Sequence, residues 1–383
     1  MSQINVRNLS NENDDGAPDI VGVSTFSATS YIVPPVGNTA QRPENPQPGD
    51  LRFNTDSASL EYFRGNTIGW EQIEMTSPDL NSGSRGVWAG GNYYPVSPQS
   101  ACNVIEYVTI PTLGNAVDFG DTSQSWKYNA GCASRTRGVT GGGIGDSSVP
   151  AYVNIMEYIT IASTGNATDF GDTLSDNKIY PTCFSSQTRG LWVGGGASGS
   201  KINTIGYVTI ATTGNCADFG DTTQARSNSS GCSSSTRGVY AGGYTPTNVN
   251  TIDYYTIATT GNGQDFGDLT QLSQFSGGSA SSTRGLFWGG VGSHPVGDNT
   301  IDYITIATTG NATDFGDSVM KIGYANNFSS TTRSVRGGGQ SPNTTNVIEY
   351  VQIATTGNAK DFGDLSTPEH RACGCFSNGH GGL

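Results

Sequence analysis

Histidine is nearly absent from this chain. Three occur in 383 residues, His294, His370 and His380, and charged side chains make up only 13%. So few imidazoles leave little room for general acid–base chemistry. No Gly-x-Ser-x-Gly elbow, phosphate loop or His-Glu-x-x-His is present either. An enzyme is therefore not expected, and neither a cofactor nor a metal is assigned. Helix formers are scarce, which excludes a helical solenoid. No run is apolar for long enough to cross a bilayer, so membrane insertion is not expected. Residues 1–10 are polar and lack the apolar core of a signal peptide. The expectation is a chain made and retained as a soluble product, folded in a reducing cytoplasm.

Cysteine is present but unsuited to a disulfide frame. Seven is an odd number, and Cys132 and Cys232 occupy the same repeat position two units apart, so they read as small buried residues. Lysine and arginine number 19 against 32 aspartates and glutamates, for a net charge of -13. That balance argues against nucleic acid or an anionic membrane as partner.

What the chain has in abundance is glycine, 54 residues, roughly twice the ~7% of an average protein, and a repeat. Asp-Phe-Gly-Asp is spelled six times, beginning at Asp118, Asp169, Asp218, Asp265, Asp314 and Asp361 and ending at Asp121, Asp172, Asp221, Asp268, Asp317 and Asp364. A period in the high forties is that of kelch-type propeller blades. Each unit contains four strand-sized pieces: a small-residue run such as Ser230-Gly-Cys-Ser-Ser, then Gly238-Val-Tyr-Ala-Gly-Gly, then Thr251-Ile-Asp-Tyr-Tyr-Thr-Ile, then the segment around Asp265. Four strands per unit is a propeller blade. The fold class expected is all-β, a six-bladed propeller of four-stranded blades over residues 81–383. The tail from Ala372 reads as one more small-residue strand that completes the first blade. Seven blades remain open if residues 50–76 share a blade with that tail.

The N-terminal part divides into a polar segment, 1–33, a proline-rich spacer, 34–49, and a small β meander, 50–76. The five prolines at 34, 35, 43, 46 and 48 are too many for a sheet or helix interior. The meander is too small to hold a core by itself.

Two motifs invite chemistry. In Asp-Phe-Gly-Asp, carboxylates three apart around a glycine could ligate calcium. The structural reading is that the aspartates bond backbone N–H groups and pair with the recurrent arginines Arg85, Arg137, Arg189, Arg237, Arg284 and Arg333, one bracket per unit. The cluster His370, Cys373, Cys375 and His380 suggests zinc, but its spacing matches no common site and a terminal strand explains it better.

The units differ mainly in the loops on one face. There the aromatic and polar residues Tyr93, Tyr94, Trp126, Tyr128, Tyr180, Tyr244, His294 and Tyr324 form a hypothetical ligand-binding surface, as aromatics among polar loops do in glycan and protein recognition. The alternative is that they merely cap blade ends.

The run Arg42-Pro-Glu-Asn-Pro-Gln-Pro-Gly-Asp-Leu-Arg-Phe-Asn-Thr, with Leu60-Glu-Tyr-Phe and Trp70-Glu-Gln-Ile, resembles a module found near the N-termini of virion proteins of contractile-tailed phages, particularly those of cyanobacteria. The repeats resemble the kelch-like repeats that follow that module. This resemblance implies a virion structural protein, a tail fibre or surface fibre for host attachment. Its residues 1–76 would contact other virion proteins, and its propeller would bind host glycan or lipopolysaccharide. A homo-oligomer, with a trimer favoured, is implied by analogy with fibres. A passive capsid, collar or tail decoration protein and a polysaccharide-degrading enzyme are the alternatives.

Overall fold

The computed structural model describes residues 34–56, 59–73, 84–93, 100–145, 152–174, 179–197, 200–292, 297–340, 344–366 and 373–383. The expected anchor, 1–33, lies outside them. The chain divides into two compact units, 1–78 and 79–383. Both are all-β: antiparallel sheets dominate, and the one helical piece among the described residues is a 3-10 turn, Thr39–Gln41.

In the first unit the expected spacer takes part in the fold. Val36–Gly37 pairs in parallel with Leu51–Asn54, which continues antiparallel through Ser59–Phe63 to Trp70–Ile73. Glu61, fully buried, is the reason. It accepts from Arg42 at both oxygens, from Arg52 and from Asn54, at 2.6 to 3.1 Å. The Arg42 guanidinium, then burial acting in the opposite sense, set the Glu61 carboxyl below its usual range. A buried carboxylate needs such partners, so Arg42 is bolted to the meander and the prolines before and after it bound a folded segment.

The 79–383 unit contains six repeat sheets. Five have four strands in chain order, for example Ser230–Ser233, Arg237–Ala241, Thr251–Thr256 and Gln264–Asp268. The first has five: the tail strand Gly374–Ser377 pairs with Arg85–Tyr93, followed by Ser100–Thr109, Val117–Lys127 and the short edge Ile144–Gly145. The 51–73 strands form their own sheet without the tail, which removes the seven-unit alternative.

Three recurring contacts join each sheet to the next. In the first, the Thr-Gly-Asn turn of one unit docks on Asp-Phe-Gly-Asp of the preceding unit. Gly165 N–H donates to Phe119 O (2.8 Å) and Asp121 N–H to Asn166 Oδ1 (3.1 Å). Gly120, at φ +145°, sits in the bulge opposite Ile105 and Glu106, and a Cβ there would lie 2.5 Å from Gly165 O. Only glycine supplies both that φ and that closeness. The same pair of bonds links the sixth sheet to the first, Gly114 N–H to Phe362 O and Asp364 N–H to Asn115 Oδ1.

The second contact is the arginine, and here the expected aspartate–arginine bracket is corrected. Arg137 lies over the Tyr158 ring of its own sheet (4.2 Å) and donates to Ile210 O and Ala211 O of the next. Arg85, Arg189, Arg237, Arg284 and Arg333 repeat this geometry, Arg333 reaching Ile110 O and Pro111 O of the first sheet. No ion pair joins them to the repeat aspartates among the described residues, whose first member is solvent-exposed in all six copies. Stacking on tyrosine turns each guanidinium toward carbonyls instead.

The carboxylates that do bridge sheets are others: Glu106, Glu157, Asp253, Asp302 and Glu349, each buried and each accepting a backbone N–H from the preceding sheet. Asp253 and Glu349 also face buried arginines, Arg226 and Arg336, at 3.1 and 2.9 Å. Burial raises the Glu349 carboxyl, and Arg336 opposes it.

The third contact is a knob on a small residue. Phe184, Phe328 and Phe376 of the first strands lie over Gly238, Gly86 and Gly138 of the neighbouring sheets, and Cys132 and Cys232 lie over Gly190 and Gly285. Where Ser334 replaces that glycine, its partner is Ser279. The apolar residues between sheets form six buried clusters, with the Phe of each Asp-Phe-Gly-Asp in one of them.

Candidate functional site: an aromatic crown over a shared pit

The first strands of the six sheets converge on a pit of about 120 Å3. Their serines tie neighbour to neighbour: Ser185 Oγ donates to Ala133 O, Ser233 Oγ to Ser185 O and Ser329 Oγ to Ala280 O, all at 2.7 to 2.8 Å. A smaller hollow of about 50 Å3 continues toward the tail, where His380 Nε2 meets Ala133 O and Gly381 N–H donates to Ala280 O.

The rim is built by one repeat position, two residues ahead of each first strand. Tyr128, Tyr180, Asn228, Phe275 and Tyr324 stand there, at φ +62°, +52°, +60°, +55° and +62°. The sixth equivalent, Ala372, is outside the described residues. The rings run in sequence, with Tyr128 to Tyr180 at 4.3 Å, Tyr180 to Phe275 at 5.4 Å and Phe275 to Tyr324 at 3.8 Å. Backbone bonds hold the spacing: Tyr180 N–H to Tyr128 O and Tyr324 N–H to Phe275 O.

A left-handed backbone costs a non-glycine residue about 1–3 kcal/mol. Every other left-handed position described in this chain is glycine. Five side chains are kept where the chain's usual choice would be none.

Of the surface expected from sequence, Tyr128, Tyr180 and Tyr324 meet at this rim. Trp126 does not belong to it, which is a correction. Its indole is fully buried against Gly90, and Val117–Lys127 runs on between Ser100–Thr109 and the edge strand Ile144–Gly145, Trp126 pairing with Cys102 on one side and Gly145 on the other. Tyr244 is not among the pit residues and sits under the Lys201 ammonium at 5.0 Å. Tyr93 ends a strand, with its side chain undescribed, and Tyr94 and His294 lie outside the described residues. Asn228 and Phe275 were missed, although their register matches Tyr128.

Of the zinc alternative's four side chains, His370 lies outside the described residues, and the other three have separate partners. Cys375 Sγ donates to Asn327 O, Cys373 Sγ accepts from Asn326 Nδ2, and His380 faces Ala133. Burial pushes the Cys375 thiol up to about 12 and Cys373 well above its usual value. No three metal-ligating side chains come together among the described residues.

His380 carries a pH dependence. Its Nδ1 accepts from Gly382 N–H (3.1 Å), as a neutral ring does, and burial pushes its pKa down from 6.5 to about 4. The unfolded chain therefore binds the proton more readily. Stability should fall as pH drops from about 6.5 to about 4 and level off below. His380→Asn should flatten that interval of a melting-temperature-against-pH profile, measured against wild type so that Asp302 and Glu349, whose raised values act in the opposite sense, cancel.

No model of a known protein family matches the chain, and no curated protein matches its sequence.

Proposed function

We propose that the 79–383 unit is a closed six-bladed propeller, and that the chain is a non-enzymatic virion protein, a tail or surface fibre whose propeller adheres to host glycan through the crown. Closure is supported by the sixth-to-first bonds at Gly114, Asp364 and Arg333 and by the tail strand on Arg85–Tyr93. The virion setting is supported by the resemblance carried on Arg42 to Ile73. Docking through residues 1–76, and oligomerisation, would multiply weak contacts.

The single observation behind the binding surface is the set of five strained positions holding Tyr, Tyr, Asn, Phe and Tyr. Strain of this kind gathers at ligand clamps, and aromatic faces beside amides suit a sugar's C–H face and hydroxyls.

Tyr180→Gly tests it. Relief of the left-handed strain, about 1–2 kcal/mol, offsets the lost ring contacts, about 0.5–1.5 kcal/mol, so the melting temperature should barely move. Capture of host cells or their extracted glycan by multivalent protein should drop by about tenfold or more. Unchanged capture by Tyr180→Gly and by Tyr324→Gly would remove the crown as the binding surface.

A further inference from the structure

We propose that the pit beneath the crown seats one neutral pyranose, the end residue of a glycan chain, with the Asn327 amide turning to meet it as its polar contact. This rests on the adhesin reading and specifies what is bound.

Asn327 is 4% exposed and lines both levels of the pit, yet its Nδ2 and Oδ1 have no hydrogen-bond partner. Burying both ends of an amide unpaired is unfavourable by about 1–3 kcal/mol per group, and such groups in native proteins call for an explanation. The equivalent positions in the other five sheets carry Gly131, Cys183, Gly231, Gly278 and Cys375. The fold does not ask for an amide there. One sheet supplies it, and Gly277 of the neighbouring strand leaves the room: a Cβ on Gly277 would meet Asn327 Oδ1 at 1.6 Å.

Three properties of the pit define the occupant. Among the described residues lining it, none is charged. A uronate, sialate or phosphate would enter without a counter-charge, which is strongly unfavourable, so the ligand is neutral. A volume of about 120 Å3 is well below the roughly 300–1,000 Å3 of drug-sized ligand sites. It suits one ring and no more. The tail crosses the far end, with His380 bonded on one side and Gly381 on the other, so a chain can enter only by its terminus. Neither amide atom is exposed where it lies, so the Asn327 side chain turns into the pit on binding, and its adjacent donor and acceptor then complement two neighbouring hydroxyls, each able to donate and accept. The rim aromatics then cover the apolar face of the ring or of the residue that follows it.

The test uses the full chain and a panel of methyl glycosides of glucose, galactose, mannose, rhamnose and N-acetylglucosamine, with methyl glucuronide as the charged control. Ligand-observed NMR and crystal soaks are the readouts. The expected result is one neutral glycoside in the pit at one per chain, with affinity lowered about tenfold or more by Asn327→Ala, the loss expected of one or two hydrogen bonds. The melting temperature should be equal or higher, because the orphaned amide has gone. Should Asn327→Ala fail to fold, Asn327→Gly, the residue three equivalent positions carry, replaces it. The proposal is overturned if soaks show ordered water only, if Asn327→Ala binds as well as wild type, or if the glucuronide binds best. Crown-dependent capture of host glycan alongside any of those results sinks the pyranose and leaves the adhesin reading. Loss of both sinks the two together.

Discussion

A chain ending at residue 372 is expected to lose the fold of its 79–383 unit. The missing Gly374–Ser377 strand supplies the first sheet with its first strand, pairing Gly374 with Ala89 through to Ser377 with Gly86. Its absence would leave Arg85–Tyr93 as a bare edge, which invites aggregation. It also removes Phe376, which lies over Gly131 and Gly138 and packs with Val87, Ile105, Phe119 and Ile159. Truncating one such phenylalanine costs about 3–5 kcal/mol, against a total of about 5–15 kcal/mol for a typical domain. Loss of the strand, the Ser377 bond to Ser329 and the His380 and Gly381 contacts comes on top. Size-exclusion chromatography and circular dichroism should show aggregate or unfolded chain. Phe376→Ala in the intact protein should fold with a much lower melting temperature. A monomeric, cooperatively melting truncation would show that the tail strand is not needed for the fold.

The second large effect belongs to the repeat motif, and it falls on the glycine. Gly120→Ala forces a side chain onto a backbone at φ +145° and sets its Cβ 2.5 Å from Gly165 O and 2.6 Å from Gly165 C, both main-chain atoms fixed by the Phe119 bond. Neither neighbour can swing away. The expected cost is about 3 kcal/mol or more, the sum of backbone strain and clash. Asp118→Asn, on an exposed side chain, should stay within about 0.5 kcal/mol. Urea midpoints of the two variants decide between a motif held by its glycine and one held by its carboxylates. Gly363→Ala asks the same of the sixth-to-first junction, where the contact is Gly114 O at 2.4 Å. Equal losses for Asp118→Asn and Gly120→Ala would restore the aspartates as the bracket.

Much of this was legible because a repeat multiplies each signal. Six copies of a four-piece unit show six sheets, and the small-residue run after Ala372 shows where the missing strand comes from. The crown was half legible: Tyr128, Tyr180 and Tyr324 stood out as aromatics in variable loops. Asn228 and Phe275 share their register, yet a search for aromatics passes over an asparagine, and Phe275 precedes an unremarkable Ser-Gly-Gly. Trp126 was misplaced because nothing local shows that Val117–Lys127 runs on far enough to pair with the edge strand Ile144–Gly145. The spacer was misjudged for a related reason. Five prolines argue against regular structure locally, but Arg42 is held by a carboxylate nineteen residues away.

What residue order alone determined is whatever depends on spacing: all-β character, the unit length, the number of units, the terminal strand, and the glycines that let backbones touch. Tertiary structure decided the partners. Arginine and aspartate recur together in every unit, and opposite charge makes them look paired. Packing instead lays each guanidinium on a tyrosine and against the next sheet's carbonyls, and leaves the first aspartate of each motif in water. Likewise a single asparagine among small residues carries no signal in the chain. Only the convergence of six strands buries Asn327 with both ends of its amide unanswered, because that burial is produced by neighbours about fifty to two hundred residues away, which no local pattern records.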